Sequence, residues 1–131
     1  EVGDTFHVKP LLRYAQSAEP FHVLGVSHAR AALFYGHRYV LVPLAVPGVP
    51  LAPADVPAAQ PSHDERAHEP EPDVHRFFRA VDHEVLRRAS EPSGLPLLLM
   101  GTEDNLGEFR RVSKNRFVSP DAIRGDWTHW T

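Results

Sequence analysis

DVHRFFRAVDHEVLRRASEPSGLPLLLMGTEDNLGEFRRV, residues Asp73 to Val112, decides how this chain folds. Val74, Phe77, Phe78, Val81, Val85 and Leu86 recur at helical spacing, with Arg76, Arg79, Asp82 and Arg87 mainly elsewhere on the wheel. The pattern predicts a long amphipathic helix that ends near Pro92 and Gly94, with Val74, Phe77, Phe78, Val81 and Val85 buried. Leu95 to Gly101 is then an unbroken apolar run, which predicts a central strand covered on both faces. Thr102 is a suitable N-cap, and Glu103 and Asp104 follow in a first turn where carboxylates favour the helix dipole. A long helix leading into a buried strand is a crossover, so Leu95 to Gly101 is expected beside an earlier strand and parallel to it.

Working upstream, FHVLGVS (Phe21 to Ser27) and ARAALFYG (Ala29 to Gly36) are rich in strand formers and almost contiguous, as a tight hairpin requires. RYVLVPLAV continues the meander, and Pro43, having no amide donor, suits an edge strand. Further back, FHVKPLLRYAQSAEP predicts a short amphipathic helix after Pro10, carrying Leu11, Leu12, Tyr14 and Ala15. Downstream, KNRFVSP (Lys114 to Pro120) predicts a last strand, while DAIRGDWTHWT shows no period. The expected architecture is an α/β domain with a mixed sheet of about five strands and flanking helices. Residues 1–20 form a lead-in from a preceding domain, 21–119 the domain itself, and 120–131 the start of a linker. The opening EVGDTFHVKP has no initiator Met, and a piece of a longer protein is expected.

At 131 residues the chain has room for one core. Its 42% hydrophobic and 24% charged residues are ordinary globular values. A formal net charge of -3 gives no global attraction to nucleic acid, so any such contact needs a local patch. Absence of cysteine removes disulfides, thiolate metal sites and cysteine nucleophiles together. No apolar run approaches the roughly 20 residues of a membrane span, and the N-terminus lacks a signal-peptide layout. The expectation is a cytoplasmic protein with no membrane partner.

The segment PAAQPSHDERAHEPEPD, Pro57 to Asp73, is dense in Pro, His and carboxylates, and Pro47 to Glu71 is expected to be irregular. Nine histidines raise the question of metal. His63, His68 and His75 match neither H-E-x-x-H nor a Cys/His zinc spacing, so no metal and no cofactor is expected. Gly25-Val26-Ser27-His28-Ala29 resembles a nucleophile elbow only superficially: an elbow turns from strand into helix, whereas Ser27 leads into another strand. Asp82, His83 and Glu84 point about 100° apart on a helix and read as a solvated face. Arg110, Arg111, Lys114 and Arg116 cluster in FRRVSKNR, and Arg76 and Arg79 decorate the long helix. These six are the candidate phosphate contacts.

Taken in order, GVSHARAALFYG, the third strand, the long loop, RFFRAVDHEVL and LLLMGTEDNLGEFRR resemble the middle domain of archaeal and eukaryotic class-1 peptide release factors. They are most similar to its bacterial relatives, the bacterial archaeo-eukaryotic release factor (baeRF) family. The resemblance spans about Phe21 to Val118, and implies a ribonuclease H-like fold of the translational-machinery type. In release factors the loop before the long helix carries Gly-Gly-Gln, which helps water attack the peptidyl ester. The matching loop here offers Ala58-Ala59-Gln60, and alanine resists the positive φ that glycine permits. Asp64, Glu65, Glu69 and Glu71 nearby would repel RNA phosphates.

The resemblance therefore implies a non-catalytic, ribosome-associated domain of a bacterial release-factor-like protein, of hibernation or rescue type. Its implied partners are ribosomal RNA and, beyond that, tRNA. One alternative is peptidyl-tRNA ester hydrolysis with Gln60 as the only catalytic candidate. Another is a nuclease of the same fold, but such enzymes need a carboxylate on the first strand to hold Mg²⁺, and FHVLGVS contains none.

Overall fold

The computed structural model describes residues 19–37, 40–56 and 73–128. Residues 1–18 of the lead-in, residues 38–39, the loop 57–72 with Gln60, His63 and His68, and the last three residues lie outside the described residues. The sheet comprises β1 (Phe21–Val26), β2 (Ala31–His37), β3 (Val40–Pro43), β4 (Leu97–Gly101) and β5 (Val118–Arg124), in the order β3-β2-β1-β4-β5. β1 is antiparallel to β2 and parallel to β4, β2 is antiparallel to β3, and β4 is parallel to β5. Only β2 runs against the rest. This is the mixed, ribonuclease H-like sheet that the resemblance implies, with β4 in the predicted place.

All six residues of β1 and all five of β4 are buried, as strands paired on both sides and covered on both faces must be. β3 is the exposed edge, and Pro43 sits at its end. One sheet face packs Leu24, Val26, Leu33, Leu97 and Leu99 against two helices, α1 (Asp73–Val85) and α3 (Glu103–Val112). The helices contribute Phe77, Phe78, Val81 and Val85 from α1, and Leu106, Phe109 and Val112 from α3. Phe78 meets Phe109 edge-on with ring centroids 5.4 Å apart. Val74, expected in the core, is only partly buried at the start of α1. The opposite sheet face gathers Phe21, Val23, Phe34, Leu98, Met100, Ile123 and Trp127.

Beyond Val85 the helix widens into a π-helical turn, Leu86–Ser90, before a last α-turn, α2 (Glu91–Ser93). Pro92 has no amide hydrogen to donate, and just before it Glu91 N–H bonds back to Leu86 O, five residues away. Gly94, at φ 71°, then closes the helix in the left-handed conformation that glycine adopts without strain. Thr102 caps α3 as expected, its Oγ1 accepting from Asn105 N.

Two expectations are corrected. The last strand is Val118–Arg124, four residues longer at its C-terminal end than KNRFVSP. Its pairing with β4 slips, Leu97 facing Val118 and Leu99 facing Ala122, so two extra residues bulge around Pro120. That bulge erases the two-residue alternation by which a strand is read from sequence. Second, Asp82 is not on a solvated face. It is buried, and its carboxylate accepts from Ser113 Oγ at 2.5 Å and from Lys114 N at 2.8 Å. The carboxylate ties α1 to the connection between α3 and β5, which is why a polar group can lie on the inner side of the helix.

Candidate functional site

The six candidate cations do not form one patch. Arg76, Arg79 and Lys114 line a common groove of about 510 Å³ between the outer flank of α1 and the segment after α3. The apolar part of its lining is Val56, Ala80, Leu86 and Val112. Arg76 Nη1 donates to Asp73 at 3.0 Å across an exposed pair, while its buried Nε has no partner among the described residues. Lys114 is positioned through its backbone amide, held by Asp82.

The other three point elsewhere. Arg110 donates to the carbonyls of Ser119 at 3.2 Å and Pro120 at 3.4 Å, bracing the β5 bulge. Arg116 pairs with Glu91 at 3.2 Å and lies over the Phe117 ring, 4.6 Å from its centroid. Arg111 lines a shallow hollow with His28 and the start of α3.

The groove contains two carboxylates, and both are hydrogen-bonded from within the fold. Asp82 is turned inward as described. Glu84 accepts from Arg88 at 2.6 Å and lies 3.8 Å from Arg87. The Arg88 hydrogen bond holds its carboxyl below the usual carboxylate range, against the opposing effect of burial. Arg88 is in turn placed by Gly48, whose missing Cβ would lie 2.4 Å from the guanidinium carbon.

On the other side of α1, two histidines weighed in the sequence meet a glutamate that sequence reasoning did not single out. Glu108 of α3 accepts from His28 of the β1–β2 turn at 2.6 Å, and His75 of α1 approaches its second oxygen at 3.6 Å. The His28 hydrogen bond holds the Glu108 carboxyl low. Nothing in the sequence links positions 28, 75 and 108, because their meeting depends on tertiary packing. No group of three metal-ligating side chains occurs among the described residues. Ser27 does not stand as an exposed nucleophile. Its Oγ accepts from Ala29 N and Arg30 N and closes the hairpin, as its place between two strands predicts. Gln60 lies outside the described residues.

No helix among the described residues is long and apolar enough to cross a membrane. The model of bacterial archaeo-eukaryotic release factor family 3 matches residues 20–131. No curated protein matches the chain. A solved structure described as an archaeal protein resembles it with a TM-score of 0.48 and 17% identity, over 90% of this chain. The alignment takes in 34% of that protein, so the chain spans about a third of its length.

Proposed function

Because the chain belongs to the bacterial archaeo-eukaryotic release factor family, which carries a translation-related role, we propose that it is a non-catalytic domain that binds the ribosome, in hibernation or rescue. It would act in the cytoplasm beside flanking domains. The observation that supports this most is the group Arg76, Arg79 and Lys114 on one groove, against a net charge of -3 for the whole chain. Such local patches contact phosphate without a basic protein overall. Ala58 and Ala59 stand where release factors carry two glycines, which disfavours presentation of Gln60 in the peptidyl transferase centre.

The structure changes which cations to test. Arg110 is occupied with β5 carbonyls, so its reversal would disturb the fold. Arg79 and Lys114 are exposed and line the groove together, and Arg79→Glu with Lys114→Glu is the cleaner probe. In the full-length protein this pair should weaken co-sedimentation with ribosomes and flatten its salt dependence. Failure of the unaltered protein to pellet with ribosomes in any functional state removes the proposal. Gln60→Ala should leave pelleting intact. Peptidyl-tRNA hydrolysis that disappears with this substitution would establish the catalytic reading instead.

A further inference from the structure

We propose that the sheet face opposite α1 and α3 is a docking surface for this chain's own lead-in segment, seated through an amphipathic helix that carries Leu11 and Leu12. This does not rest on the ribosomal reading. Phe21, Val23, Phe34, Leu98, Met100 and Ile123 form one apolar cluster on that face, each at most 3% exposed. The buried apolar residues of α1 and α3 all belong to the other face, and no helical residue among those described joins this cluster. A sheet whose central strands are apolar on both sides needs a layer against each. Trp127 supplies part of that layer beside Gly25, but a single indole does not span the sheet.

The occupant follows from the stretches of chain outside the described residues. Residues 38–39 and 129–131 are too few to cover a face. The loop 57–72 contains no Val, Ile, Leu, Met, Phe, Tyr or Trp, so it has no side chain with which to fill an apolar layer. Its flanks also lie on the wrong side, since Val56 packs against the helical-side core and Asp73 begins α1. Residues 1–18 remain, and they lead through Glu19 and Pro20 into Phe21, itself a member of the cluster.

The sequence of that segment suits the task. On a helical wheel Leu11, Leu12, Tyr14 and Ala15 fall on one half, and Arg13, Gln16 and Ser17 on the other. Pro10 fits the first turn of such a helix. The lengths also agree. At a rise of about 1.5 Å per residue, a helix from Pro10 to Ser17 spans about 12 Å. β1, at about 3.3 Å per residue, spans about 20 Å. A helix turned back through Ala18, Glu19 and Pro20 therefore stays within the length of β1. The family match begins at residue 20. On this proposal the folding unit extends ahead of the matched residues, because the matched region alone would bare an apolar face of a kind that soluble monomers rarely expose.

The test uses the whole chain. Met100 is its single methionine, so an isotope-labelled methionine methyl gives one resonance from this face. That methyl should show Overhauser contacts to the side chains of Leu11, Leu12 or Tyr14. Leu11→Asp combined with Leu12→Asp should raise the fluorescence of a hydrophobic-surface dye severalfold and shift Trp127 emission to the red in a Trp130→Phe background. Arg13→Ala, on the polar half of the wheel, should do neither. Should the double aspartate variant fail to fold, the Overhauser contacts of the unaltered chain decide. Contacts from Met100 to residues 57–72, or to no residue ahead of Glu19, overturn the proposal. So do contacts that arise only between differently labelled copies, which would place a second chain on the face, or a folded double variant that leaves dye and emission unchanged.

Discussion

At Asp82 a polar side chain sits on the buried flank of a helix because two donors require it. Its carboxylate satisfies Ser113 Oγ and Lys114 N, and anchors the turn that leads into β5. Asp82→Ala should cost about 2–3 kcal/mol, since it leaves a backbone donor and a hydroxyl unpaired, and Asp82→Asn should cost less because one oxygen remains. Urea midpoints measure both; an Ala variant as stable as the parent would show that water replaces the carboxylate. The pattern around Asp82 in the sequence reads as polar surface because its partners lie 31 and 32 residues away. No local periodicity carries that information. His22 makes a second residue-scale case: burial in β1 holds its pKa below the ordinary 6.5, its Nδ1 has no partner among the described residues, and its ring packs against Tyr35. A histidine with a lowered folded pKa binds fewer protons folded than unfolded. Its stabilising effect is complete above about pH 6.5 and declines as pH falls below it. The melting temperature should therefore drop between pH 7.5 and 5.5, and His22→Phe should flatten that drop. The Glu108 carboxyl, also held low, acts in a separate window, losing its contribution only as pH falls through its depressed value.

Among the elements, those with an uninterrupted period were legible and those with an irregularity were not. α1 announces itself because Phe77, Phe78, Val81 and Val85 fall on one stripe, and β4 because five consecutive residues are buried from both faces. β5 hides, since the bulge at Pro120 and the charged Asp121 and Arg124 break its alternation. The segment after it was opaque for a different reason: Trp127 earns its place by contacts with a strand 101 residues earlier. Its Nε1 donates to Val26 O at 3.0 Å, and Arg30 lies over its ring while bonding to Thr128 O. Gly25 makes room for it, as a Cβ there would come within 2.7 Å of the indole. Gly25→Ala should push the indole outward and destabilise the domain by about 1–3 kcal/mol, the usual effect of overpacking. In a Trp130→Phe background, a red shift in Trp127 emission would accompany the loss; unchanged emission and stability would mean that the indole has slack the structure does not show.

The two sides of the molecule are coupled because β1 and β4 serve both. Leu24, Val26, Leu97 and Leu99 face the helices, whereas Phe21, Val23, Leu98 and Met100 face the cluster containing Trp127. Loosening one face must disturb strands that form the other, so the groove and the tail are expected to unfold together. A domain boundary at residue 119, where sequence patterning ends, would remove most of β5, with buried Ala122 and Ile123, and Trp127. Truncating a single large core side chain typically costs about 2–5 kcal/mol, and whole domains are stable by only about 5–15 kcal/mol. Losing Ile123 and Trp127 together, with the parallel pairing of β4, consumes that margin. A chain ending at Ser119 should therefore show no cooperative thermal transition, while one ending at Thr128 should melt like the parent. Helical ellipticity and Trp127 emission, followed through urea in the Trp130→Phe background, should give superimposable transitions in the intact chain. Two separated transitions, or a cooperative fold in the chain ending at Ser119, would mean that the helical face stands without the strand and tail behind it.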